Sequence, residues 1–402
     1  MLLERRLKKL SVYKGETIIG TLPKKNLRLE TARPYLKIES CELEVFKIGE
    51  RSFLENMEFA QIVDLLKVGE RSDYFDRFRE GATIVPRQFW FVDVISSPRV
   101  GINPQKPNLK SSRRAIELAK QEYVGVEVTG TVESEFLYQA ATGSEIVPFG
   151  YLSLPLVVLP IEKRKDPTMK YGYRIVGREE AKSKRYAGLE EWLTQVETIW
   201  KRKRSEKAER QTCYQWLDYN QKLTRQSSRA KFKVLYNSSG TYLVASVIRN
   251  STRPVHANGG TLKSAGLVAD YKTHYCDLDD EKEANYLSGF LNSPLIDRLI
   301  KPMQSRGSFG ERDIGKKVLE LPIPKFNLTN PRHNDLADIA ADCKTRVRKI
   351  IPALSQKYDS IGKIRQLVKE ELSEELAQID RLVKSILLSR SRGRRLDSLL
   401  QP

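Results

Sequence analysis

The chain has 402 residues, enough for two or three domains that each bury an apolar core. Its 40% hydrophobic and 30% charged residues exclude a disordered protein, and no apolar run approaches the roughly 18 residues of a membrane span. The net charge of +19 favours polyanions as partners, so nucleic acid is a better candidate than a membrane surface. A basic but merely solvated surface is the alternative.

The first ten residues, MLLERRLKKL, carry charge where a signal peptide needs an apolar core, so we expect a cytoplasmic protein. The four cysteines form no CxxC pair, and with three histidines they give no zinc site of usual spacing. We therefore expect no bound metal.

Residues 1–161 are predicted to form a mixed α/β domain. Partial alternation of apolar residues predicts strands in 11–20 and 34–49, and helical spacing follows over 54–68. Residues 72–94 are expected to run from an aromatic helix through Gly81 and Pro86 into an apolar strand. Residues 123–161 are expected to contain paired strands, 124–134 and 151–161.

The composition changes at residue 162, and a basic helical segment is predicted over 162–230. Residues 181–233 hold 14 Lys or Arg against 6 Asp or Glu, a net of +8. Trp192 and Trp200 are eight residues apart and share one helical face. Two interpretations stay open for the KRKR run at 201–204, a solvated helix end and a contact to phosphates.

Residues 231–330 are predicted to form a β-rich domain with one helix. The segment 231–249 predicts two strands around an Asn-Ser-Ser-Gly turn, and 266–278 predicts a third strand. A helix is expected over 279–303, ended by SRGSFG, with a closing strand over 318–326.

Residues 331–402 are predicted to form a helical hairpin and a frayed basic tail, 389–395. Apolar residues from Leu336 to Leu354 and from Leu367 to Ile386 follow helical spacing, with a turn at 360–362. Such helices pair with each other or dock on a partner. The whole chain is thus expected in the mixed α+β class.

The segment 285–326, NYLSGFLNSPLIDRLIKPMQSRGSFGERDIGKKVLELPIPKF, resembles the end of a target-recognition domain in bacterial adenine-specific DNA methyltransferases and restriction specificity subunits. Residues 81–94 and 234–249 are similar to segments that follow the catalytic domain in large single-chain enzymes of that family. The resemblance spans roughly residues 70 to 350. It implies a module that docks DNA and positions a methyltransferase domain.

The motifs that such an enzyme needs for catalysis are absent from this sequence. It has no Pro-Pro dipeptide for an Asn/Asp-Pro-Pro-aromatic element, no G-x-G-x-x-G and no G-x-x-x-x-G-K-[ST]. A nuclease E-x-K has one nearby candidate, Glu180-Ala181-Lys182, in a predicted helix. We therefore expect no catalytic residue and no cofactor.

Three basic segments supply candidates for DNA contact: the loop 249–272, the loop 304–317 and the run 201–204. Arginine can bind guanine and asparagine can bind adenine bidentately, each giving about 1–3 kcal/mol of discrimination. An ordinary surface loop, and a helix stop capped by Gly307, are the structural alternatives. The candidate DNA-binding residues are Arg249, Arg253, His256, Asn258, Lys263, Tyr271, Lys272, Ser305, Arg306, Ser308, Arg312, Lys316, Lys317, Lys201, Arg202, Lys203 and Arg204.

These observations favour a noncatalytic DNA-binding specificity component of a methyltransferase, restriction-modification or phage-defence system. It would recognise duplex DNA and dock a separate methyltransferase subunit on its C-terminal helices. The first alternative is a divergent S-adenosylmethionine-dependent methyltransferase or a nuclease whose active site lies in 1–160; a seven-stranded doubly wound sheet there would favour it. The second is an interaction protein that has lost DNA binding.

Overall fold

A computed structural model places the chain in the α+β class. The residues described are 12–20, 28–48, 51–56, 71–96, 99, 101–164, 172–304, 306–307, 310–311 and 313–399. At some positions within helices and strands, including most of 12–56 and all of 390–399, the description covers the backbone without the side chain.

Apart from the first two, the strands are short, and they fall into several sheets. They are β1 (Val12–Gly20), β2 (Leu36–Ile48), β3 (Arg51–Asn56), β4 (Arg79–Glu80), β5 (Phe91–Val94), β6 (Asn108–Ser111), β7 (Thr129–Thr131), β8 (Leu137–Ala141), β9 (Ile146–Val147), β10 (Gly150–Tyr151), β11 (Leu156–Val158), β12 (Ile161–Lys163), β13 (Tyr173–Ile175), β14 (Phe232–Asn237), β15 (Ala245–Arg249), β16 (Pro254–Ala257), β17 (Gly260–Lys263), β18 (Gly266–Ala269), β19 (Thr273–Leu278), β20 (Arg306–Gly307) and β21 (Gly310–Glu311).

The α-helices are concentrated in the second half of the chain, with short 3₁₀ turns between them. They are α1 (Leu29–Ala32), α2 (Arg87–Trp90), α3 (Arg113–Glu117), α4 (Arg178–Ser183), α5 (Ala187–Lys203), α6 (Cys213–Leu217), α7 (Glu281–Asn292), α8 (Pro294–Ile300), α9 (Pro331–Lys357), α10 (Ile361–Glu371) and α11 (Ser373–Leu399).

The two predicted N-terminal strands are confirmed as β1 and β2, and they form an antiparallel sheet with β3, which was not predicted and occupies 54–56 at the start of the predicted helix. Most of the helix predicted over 54–68 lies outside the described residues. The aromatic helix predicted after residue 72 is wrong. The N–H groups of Ser72 and Asp73 bind the carbonyls of Leu319 and Ile323 instead of starting a helix, and a turn follows.

A six-stranded sheet, in the order β18-β8-β11-β5-β6-β7, forms the centre of the first core. All of its neighbours are antiparallel except β18 and β8, so the described part of 1–160 does not form a doubly wound parallel sheet. The strands predicted within 124–134 and 151–161 exist but are not partners. They are β7 and β11, and strands β5 and β6 lie between them in the sheet.

Helix α5, whose three cations all lie in its last turn, packs on this sheet through its apolar face. Trp192 and Trp200 are buried, and the Trp192 indole Nε1 donates a hydrogen bond to the Phe89 carbonyl over 3.0 Å. The helical face that the two tryptophans were predicted to share is therefore the face that packs inward. The helix thus belongs to the first core, whose buried residues lie mostly within 82–223, and Lys201 and Arg202 at its end are exposed.

A second sheet, in the order β15-β14-β19-β4, carries the buried helix α7. The hairpin predicted over 231–249 is confirmed by antiparallel pairing of β14 with β15. The single strand predicted over 266–278 is wrong, because it divides into β18 and β19 in different sheets. Asp270 lies in the turn between them and is fully buried. Its backbone packs directly against Gly81, where any side chain would clash, because a Cβ on Gly81 would lie 2.2 Å from the Asp270 carbonyl oxygen.

The helix predicted over 279–303 breaks between α7 and α8. Pro294 has no N–H to continue the ladder, and the Asp380 carboxylate accepts hydrogen bonds from the Ser293 hydroxyl and the Leu295 N–H. The helical segment ends at Met303 with an extended Gln304, so Gly307 is not its cap. The strand predicted over 318–326 is also wrong: Lys317–Glu320 is a 3₁₀ turn, and the two prolines that follow cannot donate to a sheet.

The C-terminal helices pack against α7 in the second core. Gly289 permits close contact, since a Cβ there would lie 2.9 Å from Leu336 Cδ1. The second predicted helix is divided at Leu372 into α10 and α11, and α11 continues to Leu399 through the residues expected as a frayed tail. Both apolar stripes are buried within the chain. Whether the predicted boundaries at 161, 230 and 330 separate independent domains stays a prediction.

Candidate nucleic-acid interface

A cleft of about 650 Å³ lies where β15 and the segment after it meet α9; we call it the basic cleft. Four of its lining side chains are cations and one is an acid. The cations are Arg249, Arg253, Lys344 and Arg348, and the acid is Glu281. Such an excess of positive charge in a concave surface attracts phosphate groups.

The protein itself fixes Arg253 in place. Its guanidinium Nη1 donates to the Tyr151 hydroxyl over 2.7 Å, and its Cζ lies 5.3 Å from the centre of the Tyr151 ring. Its Nη2 donates to the Arg249 carbonyl. Because these contacts reduce its freedom, Arg253 loses less conformational entropy when it binds an anion.

Arg249 is held less firmly. Its side chain is 65% exposed, lies over the Phe232 ring and has one distant acidic neighbour, with Arg249 Nη2 3.8 Å from Glu281 Oε2. An exposed pair at that distance adds little stability, so a phosphate can replace Glu281 as the partner of Arg249.

Helix α9 contributes Lys344 and Arg348, which were not among the candidates predicted from the sequence. They are four residues apart and so lie on one helical face. The Lys344 ammonium donates to Glu281 over 2.8 Å and to the Asn285 side-chain oxygen over 3.2 Å. Arg348 is exposed and has no ion pair among the described residues. Their spacing was visible in the sequence, but their closeness to Arg249 was not.

A buried acceptor also lines the basic cleft. Gln139 on β8 is 9% exposed, and its side-chain Oε1 has no hydrogen-bond partner within the described part of the chain. Burying an unpaired acceptor is costly, which favours a donor from a ligand or from water at this position.

Three further candidates lie on the β16–β17 ribbon. His256 Nδ1 is 2.9 Å from the Thr261 hydroxyl oxygen, and Lys263 is exposed at the far end of β17. Asn258 is exposed in the turn beside Gly259, whose φ of +100° favours glycine. A two-stranded ribbon is of a size that enters the major groove of DNA.

The structure brings Lys203, Tyr271 and Lys272 together around a second cavity of about 400 Å³, which we call the aromatic pocket. These residues come from two of the predicted basic segments. Lys201 and Arg202 are exposed at the end of α5, and Arg204 Nη1 donates to the Gln211 carbonyl over 3.4 Å. Cations at the end of a helix also stabilise its dipole, so this part of the run has a structural explanation.

The loop 304–317 offers fewer free groups for DNA contact than expected. Lys316 lies 4.7 Å from the centre of the Phe75 ring, and Lys317 Nζ is 2.6 Å from Asp313 Oδ2. The N–H groups of Ile314 and Gly315 both donate to the Ser238 carbonyl, so they are not free for a phosphate. Ser305, Ser308 and Arg312 lie outside the described residues, and Arg306 is described by its backbone alone, paired with Glu311.

No protein-family model matches the sequence, and no curated protein matches it. Among solved structures, the chain is similar to the Type IIL restriction-modification enzyme MmeI in complex with DNA, at 10% identity and a TM-score of 0.43 over 78% of this chain and 32% of that one. It is also similar to the type IIG restriction endonuclease BpuSI, at 14% identity and a TM-score of 0.33 over 83% of this chain and 35% of that one. The chain thus spans about a third of each of these proteins.

Among the described residues, no helix is long and apolar enough to cross a membrane. The same residues contain no cluster of three His, Cys, Asp or Glu side chains suited to a metal ion.

Proposed function

We propose that this chain is a noncatalytic DNA-binding specificity component of a methyltransferase, restriction-modification or phage-defence system. The observation that supports it best is the basic cleft, which places Arg249, Arg253, Lys344 and Arg348 against a single acid. Phosphate contacts of this kind position a protein on a duplex, and the β16–β17 ribbon offers His256 for base edges.

A methyltransferase subunit is the proposed partner. The apolar stripes of α9 to α11 are buried inside the chain, so the subunit would contact their outer, charged faces. Such a contact is polar and depends on salt concentration.

Titration calorimetry tests the proposal with the purified chain. We expect heat on addition of duplex DNA and none on addition of S-adenosylmethionine; micromolar binding of that cofactor would reject the noncatalytic assignment. Unchanged DNA affinity after alanine replacement of Arg249, Arg253 and Lys263 would favour an interaction protein instead.

A further inference from the structure

We propose that the aromatic pocket binds a nucleobase together with its attached phosphate. The inference rests on the proposed function where the base comes from an unpaired position in DNA; a free nucleotide is the other source of the same chemistry. The basic cleft has a different lining and does not enter this inference.

The walls of the pocket are aromatic. Trp200 and Trp216 have ring centres 5.7 Å apart at 44°, and the Trp200 indole Nε1 is fixed by a hydrogen bond to the Gln211 carbonyl over 2.9 Å. Trp216 is half-buried, and Tyr271 lies at the surface turn after β18. Rigid rings of this kind stack on bases with little dependence on sequence.

The rim of the pocket is positive. Lys120, Lys203 and Lys272 line it and have no ion pair among the described residues, whereas Glu122 is its one acidic lining residue. These cations surround an apolar surface, which complements a planar group that carries an anion. A protein side chain could stack on the same rings but would leave the cations without a counter-charge.

Arg87 adds a positioned cation. Its Nη2 lies 3.2 Å from both carboxylate oxygens of Asp270, which is fully buried behind the pocket. Its guanidinium Cζ is 6.0 Å from the centre of the Tyr271 ring. Since Arg87 Nη1 and Nε have no partner in the described part of the chain, they remain able to donate to a phosphate.

The size of the cavity fits a single nucleotide. About 400 Å³ lies within the range of about 300–1,000 Å³ typical of small-ligand sites. A paired base inside a duplex cannot reach such a cavity, because its faces are covered by its neighbours. An unpaired base in a bulge has both faces free.

Photocrosslinking tests the inference with the full chain. One duplex carries 5-iodouracil in a single-nucleotide bulge, a second carries it fully paired, and a third sample contains free 5-iodo-dUMP. We expect the bulged base or the free nucleotide to crosslink to peptides that contain Trp216 or Tyr271, and the paired base to give at least about tenfold less. Crosslinks from DNA and from the free nucleotide identify the source.

Two variants of the aromatic pocket are compared with one matched control outside it. Tyr271→Leu and Trp216→Leu should each lower the crosslink yield about tenfold. Tyr242→Leu should not, although Tyr242 is an exposed ring with Lys369 Nζ 4.4 Å from its centre. A thermal melt confirms that each variant folds.

The outcomes separate this inference from the proposed function. Duplex binding without any crosslink in the pocket, or crosslinks that both pocket variants leave unchanged, would overturn the inference and leave the proposed function standing. Crosslinking of the free nucleotide without any duplex binding would support the pocket and reject the proposed function.

Discussion

The basic cleft and the aromatic pocket carry charge of the same sign but have different neighbours. In the cleft Arg249 and Arg253 lie over the Phe232 and Tyr151 rings, but the cations are also held by hydroxyl, amide and carboxylate groups, and Lys344 and Arg249 share Glu281. In the pocket the lysines surround Trp216 and Tyr271. We therefore propose that the first surface contacts phosphates along a duplex and that the second binds one base.

The scaffold beneath the basic cleft should show the largest effect when it is broken. Asn292 is buried, and its side chain accepts from the Ala245 N–H over 2.9 Å and donates to the Ala245 carbonyl over 2.8 Å, which ties α7 to β15. Asn292→Ala should lower the free energy of unfolding by about 3 kcal/mol, because it leaves the buried Ala245 N–H unpaired. Urea denaturation measures this, with Asn258→Ala as the exposed control; equal losses for the two variants would contradict the account.

Removing charge from the cleft should weaken duplex binding and spare the pocket. Arg249→Gln combined with Arg348→Gln should reduce affinity for a paired duplex about tenfold at about 0.1 M salt. The slope of log K against log salt should become shallower by about 2, since two phosphate contacts are lost. The matched control is Arg332→Gln with Lys349→Gln, which removes the same charge from exposed positions outside both cavities. The same loss in both double variants would show that net charge, and not the cleft, binds DNA.

Removing a single oxygen atom tests whether Tyr151 positions Arg253 for DNA binding. Tyr151→Phe removes the hydroxyl that accepts from Arg253 and keeps the ring beneath it. We expect about fivefold weaker duplex binding, the effect of one lost hydrogen bond to a charged group. Tyr242→Phe is the control, and fluorescence anisotropy is the measurement. Identical affinities would mean that Arg253 does not contact DNA.

The smallest expected effect is a pH dependence confined to the pocket. Burial raises the pKa of Asp270 to about 6 from its ordinary value of 3.8, although the Arg87 guanidinium opposes this. As the pH falls through about 6, Asp270 takes up a proton and its negative charge behind the pocket is lost. Binding of a bulged base should then strengthen about twofold, while Asp270→Asn should show no such change.

Asp270 should also make the stability of the fold depend on pH. The direction is opposite to that of an ion-paired carboxylate whose pKa is lowered by folding. Because the folded state binds this proton more tightly than the unfolded state, the contribution of Asp270 to stability should increase as the pH falls from about 6 to about 4. Melting curves of the wild-type chain and of Asp270→Asn measure the difference. A wild-type advantage that grows as the pH rises through this range would be inconsistent with the raised pKa.

Local patterns predicted the elements whose partners are close in sequence. The apolar spacing of Trp192 and Trp200 predicted the buried face of α5, and the turn of 237–240 predicted the β14–β15 hairpin. The mixed α+β class followed from the same patterns.

Features set by distant contacts were not predictable in this way. The strand predicted over 266–278 divides because Gly266–Ala269 pairs with β8 and Thr273–Leu278 pairs with β14, and no local pattern encodes which sheet a strand joins. For the same reason, the sequence suggested Arg249 and Lys203 as candidates but not their grouping into two surfaces. Arg348 and Trp216 were missed as site residues because their neighbours come from other parts of the chain.

The salt dependence of duplex binding tests the central claim most directly. Fluorescence anisotropy of a labelled duplex, titrated with the full chain over a series of salt concentrations, should give a linear decrease of log K with log salt at a slope of about −3 or steeper. That slope corresponds to the several phosphates that we propose the cleft contacts. Absence of binding at about 0.05 M salt, or an affinity that does not change with salt, would contradict the claim.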